Sequence, residues 1–228
     1  MSRGELAEVV GLSRSTLSEI TVSLLHRGAI VVVDTGHAGM WMGGFYDLRA
    51  PTQSYIRSAG HLGWAFPAGL GAKCACPDRP VVVFTGDAGL WYHIGEIETA
   101  VRWKINSVTV VNNNASGNQS KRGFDRAYGG QQTEQARELW TYRMVNFARV
   151  AEDIGALGIR VEKPAELAPA IQRALKAVVD RLDHRMLLPT KSALIRITSR
   201  RERLAPQGSR SHRATRALAH RLSLARPS

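Results

Sequence analysis

Three short stretches of this chain are apolar without interruption and stop abruptly at polar or glycine residues. They are AIVVVDTG (29–36), PVVVFTGD (80–87) and NSVTVVNNN (106–114). A strand with one wet face alternates polar and apolar residues; a Val-rich run without alternation suits a strand covered on both faces, as in a parallel sheet. Between the runs the period changes to that of helices. WAFPAGLGAKCA (64–75) is one, and LWYHIGEIETAVRW (90–103) is a second, with Ile94, Ile97 and Val101 on one stripe. Further on, 146–157 and 164–182 read as helices around a short strand at 158–162, and Pro164 suits a first helical turn. SALIRITS (192–199) is expected to be an edge strand. Strands alternating with helices predict an α/β domain, a doubly wound and mostly parallel sheet with helices on both faces. Three sections follow: a helical N-terminal extension (1–28), the α/β domain (29–183) and a tail of low order (184–228).

In such a sheet, ligands bind beyond the carboxyl ends of the strands. The unusual polar residues gather at those ends: Asp34 to His37, Gly86 to Gly89, and Asn112 to Gly117. Asp87 and Asn114 lie 27 residues apart, at the ends of two strands joined by one right-handed crossover. If those strands are neighbours, a carboxylate and an amide oxygen converge, and both are hard ligands suited to Mg²⁺ or Ca²⁺. One carboxylate under-neutralises a bare divalent ion, which makes sense if the ligand brings negative oxygens of its own, as a diphosphate does. Gly86 and Gly89 let the backbone come close, and a helix opening at Ala88 aims free N–H groups at the same place. The alternative is purely structural, with Asp87 as a helix cap and the asparagines as a turn. Neither G-x-x-x-x-G-K-[ST] nor a strand-following G-x-G-x-x-G occurs.

Charge changes the picture less than its total suggests. The net charge of the 228 residues is +12, but residues 176–228 hold 13 Lys and Arg against 3 Asp and Glu. The body is nearly neutral, and the basic tail has the composition of disorder, able to neutralise phosphates without specificity. No apolar run reaches membrane-span length and no basic-then-apolar leader opens the chain, so a cytoplasmic protein is expected. Cys74 and Cys76 are poorly spaced for a disulfide and too few for zinc, and read as reduced thiols.

GDAG followed by NNN, with VVVDTGHAGMW (31–41) and SYIRSAGHLGWAFPAGLGAK (54–73) around it, resembles the thiamin diphosphate signature of acetolactate synthase-like enzymes, in their C-terminal cofactor domain. Ala88 departs from the usual Gly. The resemblance covers about 29–177 and implies thiamin diphosphate and Mg²⁺ as cofactors and a 2-keto acid as substrate. It implies Asp87, Asn114 and the main-chain oxygen of Ser116 as metal ligands. Gly36, His37 and Ala38 would line the diphosphate, with Gly86, Ala88 and Gly89 opposite, and Asn114 and Gly117 beside it. Gly60 would offer its carbonyl to the aminopyrimidine, next to His61, and Leu62 would hold the cofactor bent. ASGNQSKRGFDRAYGG (115–130) would be a mobile loop over the site. No catalytic residue is assigned within the chain. In this family the proton relay starts at a glutamate of a separate pyrimidine domain, so a homodimer or a second chain is the expected partner. Glu96 and Glu98 are expected to be helix-surface charges, and His93, Trp41, Trp64, Trp91 and Tyr92 core or interface residues.

GELAEVVGLSRSTLSEI (4–20) also resembles the helix-turn-helix of ROK-type repressors, with Gly11 at the turn and Arg14, Ser15 and Thr16 toward DNA. Residues 1–28 are nevertheless neutral overall. The alternative function is therefore a DNA-binding regulator fused to a relic or sensor cofactor domain.

Overall fold

The computed structural model describes residues 28–48, 50–131, 133–179 and 193–198. The expected helix-turn-helix, and the tail except for 193–198, lie outside the described residues. The three apolar runs form β1 (Ile30–Val33), β3 (Val81–Gly86) and β4 (Val108–Asn113). With β2 (Ser54–Arg57), β5 (Leu157–Val161) and β6 (Ala193–Thr198) they make one parallel sheet, in the order β2-β1-β3-β4-β6-β5.

Successive strand residues point to opposite faces, and here both faces are covered. Val31, Val33, Val82, Phe84, Val108 and Val110 meet α1 (His37–Phe45) and α8 (Leu167–Val179) on one side. Leu167, Ala170, Ile171, Ala174, Leu175 and Val178 give α8 its buried stripe at helical spacing. On the other side Ile30, Val32, Val81 and Val83 lie under α2 (Ala65–Ala75). Val111 lies there too, under α3 (Asp87–Tyr92), α4 (Glu96–Arg102) and α7 (Phe147–Ile154). This two-sided burial is why the runs do not alternate. α7 begins at Asn146, whose side chain accepts from Arg149 N–H, and ends at Gly155 in the left-handed region.

The structure corrects three expectations. SALIRITS forms a strand, but not at an edge: β6 lies between β4 and β5, with Ile195 fully buried. The stretch 90–103 is two helices, because the chain breaks at His93 to Gly95 before α4 turns Ile97 and Ala100 inward. The loop expected at 115–130 is largely helical, as α5 (Asn118–Ala127), followed by α6 (Glu134–Glu138). The edge strand β2 went unread because it is four residues long and only partly covered. Among the described residues no helix is long and apolar enough to cross a membrane.

α2 packs on β3 through Gly69, where a Cβ would overlap the Val83 side chain. Gly69→Ala is therefore expected to cost about 1–3 kcal/mol by overpacking. Urea denaturation checks this, and an unchanged midpoint would contradict the contact.

Candidate functional site

The helix after β1 lies on one face of the sheet and the helix after β3 on the other. Between these adjacent strands the connections diverge and leave a crevice at their carboxyl ends. A cavity of about 150 Å³ occupies it. Gly36, His37 and Ala38 line one side; Gly86, Asp87, Ala88 and Gly89 line another; Asn114, Ser116 and Gly117 close a third, with Leu62 beside them. These expected site residues are thus brought together. Gly60 and His61 are not: both are exposed and neither lines the cavity.

β3 and β4 are direct neighbours, with Gly86 paired to Asn112, so the polar ends of the two strands meet. Ser116 N–H donates to Asp87 Oδ2 at 3.0 Å. The three asparagines divide by the period of the strand. Asn113 is buried, donating to the Val145 carbonyl at 2.8 Å and accepting from Ala115 N–H at 3.1 Å. Asn112 and Asn114, on the opposite side, face the cavity.

Behind the cavity lies Asp34, which sequence reasoning grouped with the strand ends without giving it a role. It is 1% exposed and ties three segments together. Its carboxylate accepts from Thr35 N–H at 2.8 Å, from Gly63 N–H at 3.0 Å and from Thr85 Oγ1 at 2.6 Å. Gly89 makes this possible, since a Cβ there would overlap Asp34 Oδ2. The carboxylate thus fixes the loop at Gly63 and the start of α3 relative to β1. A polar residue closing a buried strand was the available signal.

Asp87 is 2% exposed, and burial pushes its carboxyl from 3.8 up to about 6 against backbone N–H donors at Ala88 and Ser116. A raised acid pKa means that the ionised form costs the fold. The cost is absent below about pH 4, grows as pH rises through 6, and is constant above. A shift of about two units corresponds to about 3 kcal/mol. The stability difference between Asp87→Asn and the wild type, measured without ligand, should swing by about that much in the variant's favour from pH 4 to pH 8. Urea midpoints across that range check it, and a flat difference would contradict it.

His37 lies parallel to Trp41 with ring centroids 5.7 Å apart. Burial first, and the Arg122 charge second, lower its pKa, which favours a neutral ring. Trp41 is 8% exposed and lines the cavity as well as the core. Trp64 is half-buried, packed against Ile30 and its neighbours, whereas Trp91 and Tyr92 are exposed at 40% and 67%. Glu98 pairs with Arg102 on the surface of α4, as a helix-surface charge should.

Among the described residues no three His, Cys, Asp or Glu side chains cluster. Among the described residues Asp87 is the only carboxylate lining the cavity, with neutral oxygens beside it. That donor set suits a hard divalent cation only when the ligand adds negative charge. The openings of α1 and α3, neither of them capped by a side chain, turn the positive ends of their helix dipoles toward such a ligand. The site can hold a cation-bridged polyanion. Its volume lies below the roughly 300–1,000 Å³ of complete small-molecule sites, so it encloses only part of a cofactor-sized ligand.

Residues 34–181 match the family described as thiamine pyrophosphate enzyme, C-terminal TPP binding domain. The acetolactate synthase large subunit of Haemophilus influenzae is 33% identical over 158 residues, covering 68% of this chain and 27% of that protein. The isozyme 3 large subunit of Escherichia coli is 31% identical over 152 residues, 66% of this chain and 26% of the relative. The sulfoacetaldehyde acetyltransferase of Alcaligenes xylosoxydans is 29% identical over 170 residues, 71% and 26% respectively. The matched region amounts to about a quarter of each relative.

Proposed function

Because the chain belongs to the thiamine pyrophosphate enzymes, through their C-terminal TPP binding domain, we propose that it forms the Mg²⁺- and diphosphate-binding part of an acetolactate synthase-like site acting on a 2-keto acid. The observation that carries this reading is the convergence of Asp87, Asn114 and Ser116 on one cavity with two helix openings. Asp87 and Asn114 hold the cation through their side chains, and Ser116 holds it through its main-chain oxygen. Gly36, His37 and Ala38, with Gly86, Ala88 and Gly89 opposite and Gly117 alongside, leave room for the phosphates and direct N–H groups toward them. Leu62, an apolar residue at the cavity wall, would hold the cofactor bent. Gly60 and His61, outside the cavity, contact the pyrimidine end. Bound thiamin diphosphate supplies an electron sink for cleaving the bond next to the keto carbon. Asp34 keeps the site in shape and stays away from the ligand.

No glutamate lines the cavity among the described residues, and its volume is that of a partial site. Both support a division of labour in which a glutamate-bearing pyrimidine domain, from a second copy or another chain, completes the site.

Calorimetric titration of the 228-residue chain with thiamin diphosphate tests the reading. Binding is expected with Mg²⁺ and not with EDTA, and no heat at millimolar cofactor would overturn it. Below about pH 6 the affinity should fall, because a proton competes with the cation for Asp87. Robust 2-keto acid decarboxylation by the purified chain alone would refute the division of labour.

A further inference from the structure

The segments 115–117 and 140–142 are zipped together across the whole excursion of α5 and α6. Tyr142 N–H donates to the Ala115 carbonyl at 2.8 Å, Gly117 N–H donates to the Trp140 carbonyl at 2.7 Å, and Ser116 and Thr141 form an antiparallel bridge. The zip fixes a residue far along the chain against the turn that presents Asn114 and Ser116. Tyr142 accordingly lines the same cavity as Asp87, Asn114 and Gly117. A Cβ on Gly117 would stand 3.2 Å from Tyr142 Oη, so the phenol lies directly over that glycine. Among the described residues nothing hydrogen-bonds the Tyr142 hydroxyl, although the residue is only 37% exposed. A tyrosine phenol is protonated at neutral pH and can donate. It is a neutral donor held at the wall of a cavity suited to phosphate oxygens.

We propose that Tyr142 is a further diphosphate-binding residue, its hydroxyl donating to a phosphate oxygen of the cofactor. The inference rests on the reading of the cavity as a Mg²⁺–diphosphate site and adds a residue to it. A neutral donor adds binding energy at this position without bringing a second cation to a site that already holds Mg²⁺. A hydrogen bond to a charged oxygen is the stronger kind, and its loss should weaken binding about tenfold.

The test compares wild type, Tyr142→Phe and Gly117→Ala by titration with thiamin diphosphate and, separately, with inorganic pyrophosphate, both with Mg²⁺. Thermal denaturation of the free proteins accompanies it. Tyr142→Phe is expected to raise Kd about tenfold for both ligands with an unchanged Tm. Gly117→Ala, which displaces the phenol and keeps its hydroxyl, should weaken both as well. Kd for Tyr142→Phe within about twofold of wild type, while wild type binds, would overturn this inference alone. A loss seen with thiamin diphosphate but not with pyrophosphate would also overturn it, because the contact would then lie off the phosphates. Failure of the wild type to bind either ligand would remove the underlying reading together with it.

Discussion

Asp87→Ala is expected to abolish Mg²⁺-dependent binding of thiamin diphosphate, weakening it beyond the roughly 10–100-fold lost when a group merely supporting a metal ligand is changed. The reason is charge. Among the described residues Asp87 is the only carboxylate lining the cavity, and Asn114 and the Ser116 carbonyl cannot replace it. Without it the cation meets neutral oxygens alone on the protein side. The same substitution should leave the fold standing. It strands the Ser116 N–H, which costs about 1–3 kcal/mol, leaves the Ala88 N–H at the cavity wall without its carboxylate, and removes a buried carboxylate that is ionised at a comparable cost at neutral pH. Loss of binding with a nearly unchanged Tm is therefore the predicted signature. Calorimetry beside thermal denaturation reads both. Binding retained within about tenfold of wild type would refute the metal-ligand role of Asp87.

Gly89→Ala should act the opposite way, through the fold. Its Cβ would overlap Asp34 Oδ2 and come within 2.6 Å of Thr85 Oγ1, the two atoms of a buried hydrogen bond. Neither side chain has room to retreat, since Asp34 is also held by Gly63 and Thr85 is fully buried. Overpacking and a broken buried hydrogen bond together should cost about 3 kcal/mol, a fall in Tm of about 6–12 °C for a domain of this size. The start of α3 would shift with it and the cavity would deform. A stability within about 0.5 kcal/mol of wild type would show that the Asp34 network yields easily. Asp34→Ala in the Gly89→Ala background gives a second check. Removing the obstructing carboxylate should make the two losses less than additive, because the residues touch.

What could be read along the chain was whatever local chemistry decides. Val-rich runs without alternation announce strands covered on both sides, because every second residue points each way and all are apolar. The polar ends of those runs announce a site, because the backbone stops being paired where the strands stop. The Asp87–Asn114 pair was legible for the same reason, each residue following directly on the end of its own strand. What remained hidden depends on neighbours that only the folded chain supplies. Sheet order is one case. Nothing in SALIRITS says that it enters between β4 and β5, since lateral position is set by which grooves the helices fill. The division among Asn112, Asn113 and Asn114 is another, because it depends on the Val145 carbonyl 32 residues downstream of Asn113. Asp34 looked like one more polar strand end, and only tertiary contact made it the tie between β1, β3 and the Gly63 loop. Tyr142 carried no signal at all, because a single tyrosine after an exposed helix has no period to betray it. The zip to residues 115–117 brings it to the cavity, and that pairing joins backbone atoms, which any sequence can provide.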